Sequence, residues 1–145
     1  WSDLVSLFQF RAEPSPKDKI RLDTLTELYR SSWFQPPSVK DALEKAGAES
    51  GRRDELFNYL QSSEILVKIS EELYFHSEAY GEALKLLRQH FAGKDELTLA
   101  QFRDITGSSR KYVQALLEHF DQARLTRRVE DYRVPLKLNR EVEGR

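Results

Sequence analysis

Sliding the sequence against itself by 60 residues brings about 30 positions into ungapped register, and this internal repeat constrains the fold more than any other feature. Ser38 falls on Thr98, Val39 on Leu99, Gly47 on Gly107, Leu56 on Leu116, Phe57 on Leu117, Leu60 on Phe120, Ile65 on Leu125 and Ile69 on Val129. The 145 residues therefore divide into two similar units of about 60 to 70 residues, each with a modest core.

Both copies read alike. In the first, Leu22, Leu25, Leu28 and Tyr29 recur at helical spacing and predict a helix from about Asp18 to Ser32, stopped by Pro36-Pro37. Ser38 is a cap for a short helix carrying Val39, Ala42, Leu43 and Ala46, which Gly47 ends. A third helix turns Leu56, Phe57 and Leu60 inward. Alternation at Ile65, Val67 and Ile69, a turn at Ser70 to Glu72, and alternation at Leu73 and Phe75 then predict a hairpin. In the second copy Tyr80, Leu84, Leu87 and Phe91 supply helix one, with a connection two residues shorter. Thr98 caps helix two, whose inward residues are Leu99, Phe102 and Ile105, and Gly107 leads into a third helix carrying Val113, Leu116, Leu117 and Phe120. Leu125 to Glu130 and Tyr132 to Pro135 form a second hairpin. Three short helices and a hairpin make a winged helix, so the expected fold is mainly α with small β wings, two winged-helix (helix-turn-helix) domains in tandem. The expected boundaries are 1–16 for the tail of an upstream domain and a linker, 17–76 and 77–138 for the two units, and 139–145 for a frayed tail. The start at Trp1 and the lack of methionine lead us to expect a piece of a longer protein.

Chemistry is narrowed mainly by what is missing. With no cysteine there is no disulfide, thiol catalysis or Cys-ligated metal, and the cytoplasm is the expected compartment. No apolar run approaches the ~20 residues that span a bilayer. His76, His90 and His119 fall in no metal-ligand pattern and are expected at the surface or half-buried. Gly93-Lys94 resembles a phosphate loop only superficially, since Asp95 follows where Ser or Thr is required. No catalytic site, cofactor or metal is expected in this stretch. The formal net charge is only -1, so a nucleic-acid site must be local, and charge is indeed segregated. Residues 1–97 carry 13 basic and 17 acidic side chains, residues 98–145 carry 10 basic and 7 acidic.

Arg110 and Lys111 open the third helix of the second unit beside Ser108 and Ser109, where unpaired amides and the helix dipole already favour phosphate. Arg127, Arg128 and Arg133 lie on the wing strands. The repeat is an internal control: the first unit has Ser50 and Gly51 opposite Arg110 and Lys111, and Val67 and Lys68 opposite Arg127 and Arg128, so the fold does not demand these charges. Arg52 and Arg53 are followed at once by Asp54 and Glu55 and are expected to form a solvated face. Tyr112 is placed either to stack on an unpaired base or to sit at the core edge, and Arg103 either to reach a flanking phosphate or to pair with nearby acids.

Residues 96–134, with GSSRKY at 107–112, LLEHFD at 116–121 and LTRRVEDYRV at 125–134, resemble the last winged-helix module of SelB, the bacterial selenocysteine-specific translation elongation factor family. WFQPPSVKDAL at 33–43 and LVKISEELYFH at 66–76 are similar to the module before it. The resemblance implies binding of the SECIS mRNA hairpin that marks a UGA codon for selenocysteine. It implies a monomer with no membrane partner, reaching the ribosome and selenocysteinyl-tRNA through the full-length protein, whose N-terminal part carries GTP and magnesium. It assigns the hairpin to Ser108, Ser109, Arg110, Lys111, Arg127, Arg128 and Arg133, and makes the first unit chiefly a spacer. Glu130-Asp131 depart from that picture by placing two acids at the wing turn. A tandem winged-helix DNA-binding regulator and a protein-interaction scaffold are the alternatives.

Overall fold

A computed structural model describes residues 13–136; the expected upstream tail (1–12) and C-terminal tail (139–145) lie outside the described residues. Helix α1 spans Pro16–Ser32, with the Ser15 hydroxyl accepting from the Asp18 amide at 3.2 Å and Pro16 in its first turn. The helix thus begins two residues before Asp18, because Ser15-Pro16 is a start signal rather than linker. Ser38 caps α2 (Val39–Lys45) by accepting from the Asp41 amide at 3.1 Å, and Gly47, at φ +71°, turns the chain as expected. A single 3-10 turn at Ser50–Arg52 leads into α3 (Arg53–Ser62). Strands β1 (Leu66–Ser70) and β2 (Leu73–His76) close the first unit as an antiparallel hairpin. Leu22, Leu25 and Tyr29 of α1, Val39, Ala42 and Leu43 of α2, Leu56, Phe57 and Leu60 of α3, and Leu66 and Tyr74 of the hairpin form its core. Each of the large apolar side chains among them contributes roughly 1.5–3 kcal/mol.

The second unit follows without a linker. Helix α4 spans Ser77–Gly93, and its N-cap is His76, whose Nδ1 accepts from the Glu78 amide at 3.1 Å. His76 is 6% exposed, so the expectation of a surface or half-buried histidine fails there because capping holds it inside. The buried face of α4 is Ala79, Ala83, Leu87 and Phe91, with Tyr80 and Leu84 at its edge. The connection to helix two is one residue shorter than in the first unit, residues 94–98 against 33–38. Helix α5 (Leu99–Thr106) opens on a reciprocal capping box between Thr98 and Gln101, at 3.1 and 2.8 Å. Phe102 is buried, but Ile105, expected inward, is 38% exposed. At 3.6 residues per turn, position 105 lies about 60° from Phe102 on one side and Thr106 about 40° on the other, and Thr106 takes the inner place. Gly107 repeats the +71° φ of Gly47.

Helix α6 (Arg110–Gln122) buries Val113, Leu116, Leu117 and Phe120, and β4 (Thr126–Val129) pairs with β5 (Tyr132–Pro135). A short strand β3 (Leu97–Thr98) adds to the hairpin in the order β3-β5-β4, giving three strands where the sequence predicted two. The matching residues of the first unit include Pro37, whose missing amide prevents an equivalent pairing. The hairpin β1–β2 is shared between the units. Its Leu66 and Tyr74 belong to the first core, while Ile69, Leu73 and Phe75 join Phe34 in the core of the second, as strand alternation requires.

Candidate nucleic-acid interface

The second unit carries two groups of exposed cations, one at each end of α6. At the start, Ser109 is the N-cap but its hydroxyl makes no capping bond, and Arg110 and Lys111 in the first turn are exposed. That leaves the helix's positive end for an anion, with two cations beside it. Lys111 Nζ also sits 5.6 Å from the Tyr112 ring centroid. At the other end, Arg127 and Arg128 are exposed on β4, and Arg128 Nε donates to the Glu130 carbonyl at 2.8 Å across the wing turn. Asp121 lies eleven positions beyond Arg110 in the helix, about 16 Å along the axis, so the predicted residues do not meet at one point.

Arg124 was not singled out in the sequence, yet it lines a shallow groove of about 350 Å³ with Asp121, Arg127 and Arg128. A signal for it existed in the repeat. Arg124 and Glu64 are 60 apart and share the same left-handed backbone, with φ +62° and +60°, so one copy reverses the charge of the other at a conserved bend.

Three of the expected RNA contacts have other occupations. Arg133 is 3% exposed; its Nη2 and Nε donate to Asp121 Oδ2 at 3.0 and 3.2 Å, and the Thr126 hydroxyl donates to Asp121 Oδ1 at 2.6 Å. A buried, paired guanidinium that ties α6 to the wing is no phosphate contact. Ser108 is 7% exposed and donates to the Phe34 carbonyl at 2.6 Å. The Tyr112 hydroxyl donates to the Pro36 carbonyl at 2.9 Å, and the half-buried ring packs at the edge of the core cluster. Arg103 is exposed on α5, with Nε 3.9 Å from Asp104 Oδ1, a loose surface pair.

In the first unit the equivalent surface is neutralised. Arg52 donates to Asp18 at 2.7 Å and to Glu55 at 2.9 Å, and its hydrogen bond holds the Asp18 carboxyl below the usual range. Arg53 donates to Glu72 at 2.7 Å and to the Glu71 carbonyl. All four residues of β2 are buried, and on β1 the one cation, Lys68, is paired with Glu71 at 3.4 Å.

The remaining histidines are structural. His90 Nε2 lies 2.7 Å from the Glu96 carbonyl, and His119 Nε2 lies 2.9 Å from the Tyr80 hydroxyl. Among the described residues no cluster of acidic or histidine side chains is arranged to hold a metal ion, and no helix is long and apolar enough to cross a membrane.

Residues 89–134 match a family model described as elongation factor SelB, winged helix. The chain is 32% identical over 117 residues to the selenocysteine-specific elongation factor of Desulfomicrobium baculatum, covering 80% of this chain but only 18% of that protein. Its fold is like that of the mRNA-binding domain of E. coli SelB, solved in complex with SECIS RNA, with a TM-score of 0.73 and 20% identity over 85% of this chain and 99% of that one. It is also like a bacterial selenocysteine-specific elongation factor, EF-Sec, with a TM-score of 0.65 and 19% identity over 85% of this chain and 20% of that one. With its two winged helices and a family match that falls on the cation-bearing unit, residues 89–134, the chain is similar in sequence and fold to the winged-helix region of the selenocysteine-specific elongation factors, the SelB family.

Proposed function

We propose that this chain binds a SECIS-type mRNA hairpin through its second winged helix, for selenocysteine incorporation at UGA codons. The observation that carries the reading is the asymmetry of the repeat. Arg110, Lys111, Arg127 and Arg128 are exposed in the second unit, whereas the first has Ser50, Gly51, Val67 and Lys68 at those places and binds Arg52 and Arg53 to its own acids. Ser109 belongs with Arg110 and Lys111, and Arg124 with Arg127 and Arg128 at the other end of the helix; Arg103 reaches at most a flanking phosphate. A-form RNA hides its base edges in a deep, narrow groove, so recognition rests on unpaired loop or bulged bases plus backbone shape. GTP hydrolysis with magnesium, selenocysteinyl-tRNA and ribosome contact belong, in this reading, to the rest of a longer cytoplasmic factor that acts as a monomer.

A gel shift against an RNA hairpin, its single-stranded form and duplex DNA tests the reading. Preference for the hairpin, with loop changes more damaging than stem swaps that keep pairing, is the expected result. Preference for duplex DNA would support the regulator alternative, and indifference to all three the protein scaffold.

A further inference from the structure

Ser108 and Tyr112 stand one helical turn apart and bracket Arg110 and Lys111. Their hydroxyls donate to two carbonyls of the first unit, those of Phe34 at 2.6 Å and Pro36 at 2.9 Å. The acceptor segment is itself held firmly. Phe34 is buried with its ring 6.3 Å from that of Phe75, the Gln35 amide closes a turn on the Ser32 carbonyl at 2.9 Å, and Pro36-Pro37 have fixed φ. Helix α6 also packs against β1. The repeat shows that a winged helix does not need the two hydroxyls, because Ala48 and Arg52 stand at the equivalent positions of the first unit.

We propose that Ser108 and Tyr112 are positioning residues, fastening the first turn of α6 to the Phe34–Pro36 segment so that Arg110 and Lys111 are held in place for RNA. Two attachments on either side of the basic pair fix both the rotation of the helix about its axis and the direction in which its amides point. A phosphate bound there then meets a preorganised site, and less ordering is needed on association. The first unit is thereby part of the RNA site without touching RNA. This inference rests on the hairpin-binding reading above.

The test uses the full chain with Ser108→Ala, Tyr112→Phe and Arg110→Ala, titrated with a SECIS RNA hairpin at several salt concentrations. Ser108→Ala and Tyr112→Phe are expected to weaken binding about 3- to 10-fold each, the scale of one hydrogen bond, without changing the salt slope. Arg110→Ala is expected to lower that slope by about 1. In an Arg110→Ala, Lys111→Ala background, Tyr112→Phe should change affinity less than about 2-fold, since it acts through those side chains. Hydrogen exchange of the amides at 107–113 in the free protein should quicken in Tyr112→Phe. Faster exchange with unchanged affinity would make the joint merely structural and overturn the proposal. An undiminished loss in the double-alanine background would mean that the Tyr112 hydroxyl touches RNA directly, which overturns it equally. If the unaltered chain fails to bind the hairpin, the RNA reading falls and this one with it. If it binds and only the Ser108 and Tyr112 variants are silent, this one falls alone.

Discussion

Arg110, Lys111, Arg127 and Arg128 are exposed charges, so replacing any one with alanine should leave stability within about 0.5 kcal/mol while weakening hairpin binding by roughly 1–3 kcal/mol and flattening its salt dependence. The matched controls are Arg52→Ala and Arg53→Ala, whose guanidinium groups already serve Asp18 and Glu72. Equal losses at Arg52 and Arg110 in the same titration would show a diffuse electrostatic effect instead of a site. A second residue-scale expectation concerns His119, half-buried against Tyr80, whose imidazole burial pushes below its usual value near 6.5. Since the folded state favours the neutral ring, its contribution is complete above about pH 6.5 and is lost as pH falls through the lower folded value. Thermal melts at pH 7.5 and 5 should show a larger loss for the unaltered chain than for His119→Gln; equal losses would remove His119 from the pH response.

Among the elements, those with local causes were legible in the sequence. Ser38 and Thr98 as caps and the left-handed Gly47 and Gly107 depend on residues within a few positions, and a shift of 60 reproduced them in both copies; the wing turns are equally local, but the irregular register after Lys68 in the first hairpin makes their offset 59. What was not legible depends on partners far along the chain. Ser108 and Tyr112 donate to backbone carbonyls 74 and 76 residues away, and a carbonyl carries no mark of identity in a sequence. Arg133 is a different case, because the ladder places it opposite Arg128 just as Tyr74 lies opposite Lys68, and Tyr74 is buried. Reading the second hairpin against the first would have turned Arg133 inward. There the second unit replaces the apolar pair Leu66 and Tyr74 with Thr126 and Arg133, both bonded to Asp121. Asp121→Ala should therefore cost about 3 kcal/mol by leaving the Arg133 guanidinium buried and unpaired, as urea unfolding would measure. A loss under 1 kcal/mol would mean that Arg133 finds water instead.

For the whole molecule, the shared hairpin makes the two winged helices one cooperative body. Phe75 belongs to a strand of the first unit and to the core of the second, and it is fully buried. Phe75→Ala should cost about 3–5 kcal/mol, with signals from both units shifting together in a single thermal transition. Two resolved transitions would show the units to be separable. The Phe34–Pro36 segment adds a direction to this pairing. In the first copy its carbonyls are free to accept from the neighbour, partly because the prolines beside them cannot enter a sheet. In the second copy the carbonyl of Glu96, which corresponds to Pro36, is already on His90, and the residues that follow it, Leu97 and Thr98, are paired with β5. The two units consequently differ in what the connection between their first two helices offers a neighbour. The copy that docks keeps its own wing turned to solvent, with Arg127 and Arg128 exposed on β4, while the wing of the copy it docks on is covered by it.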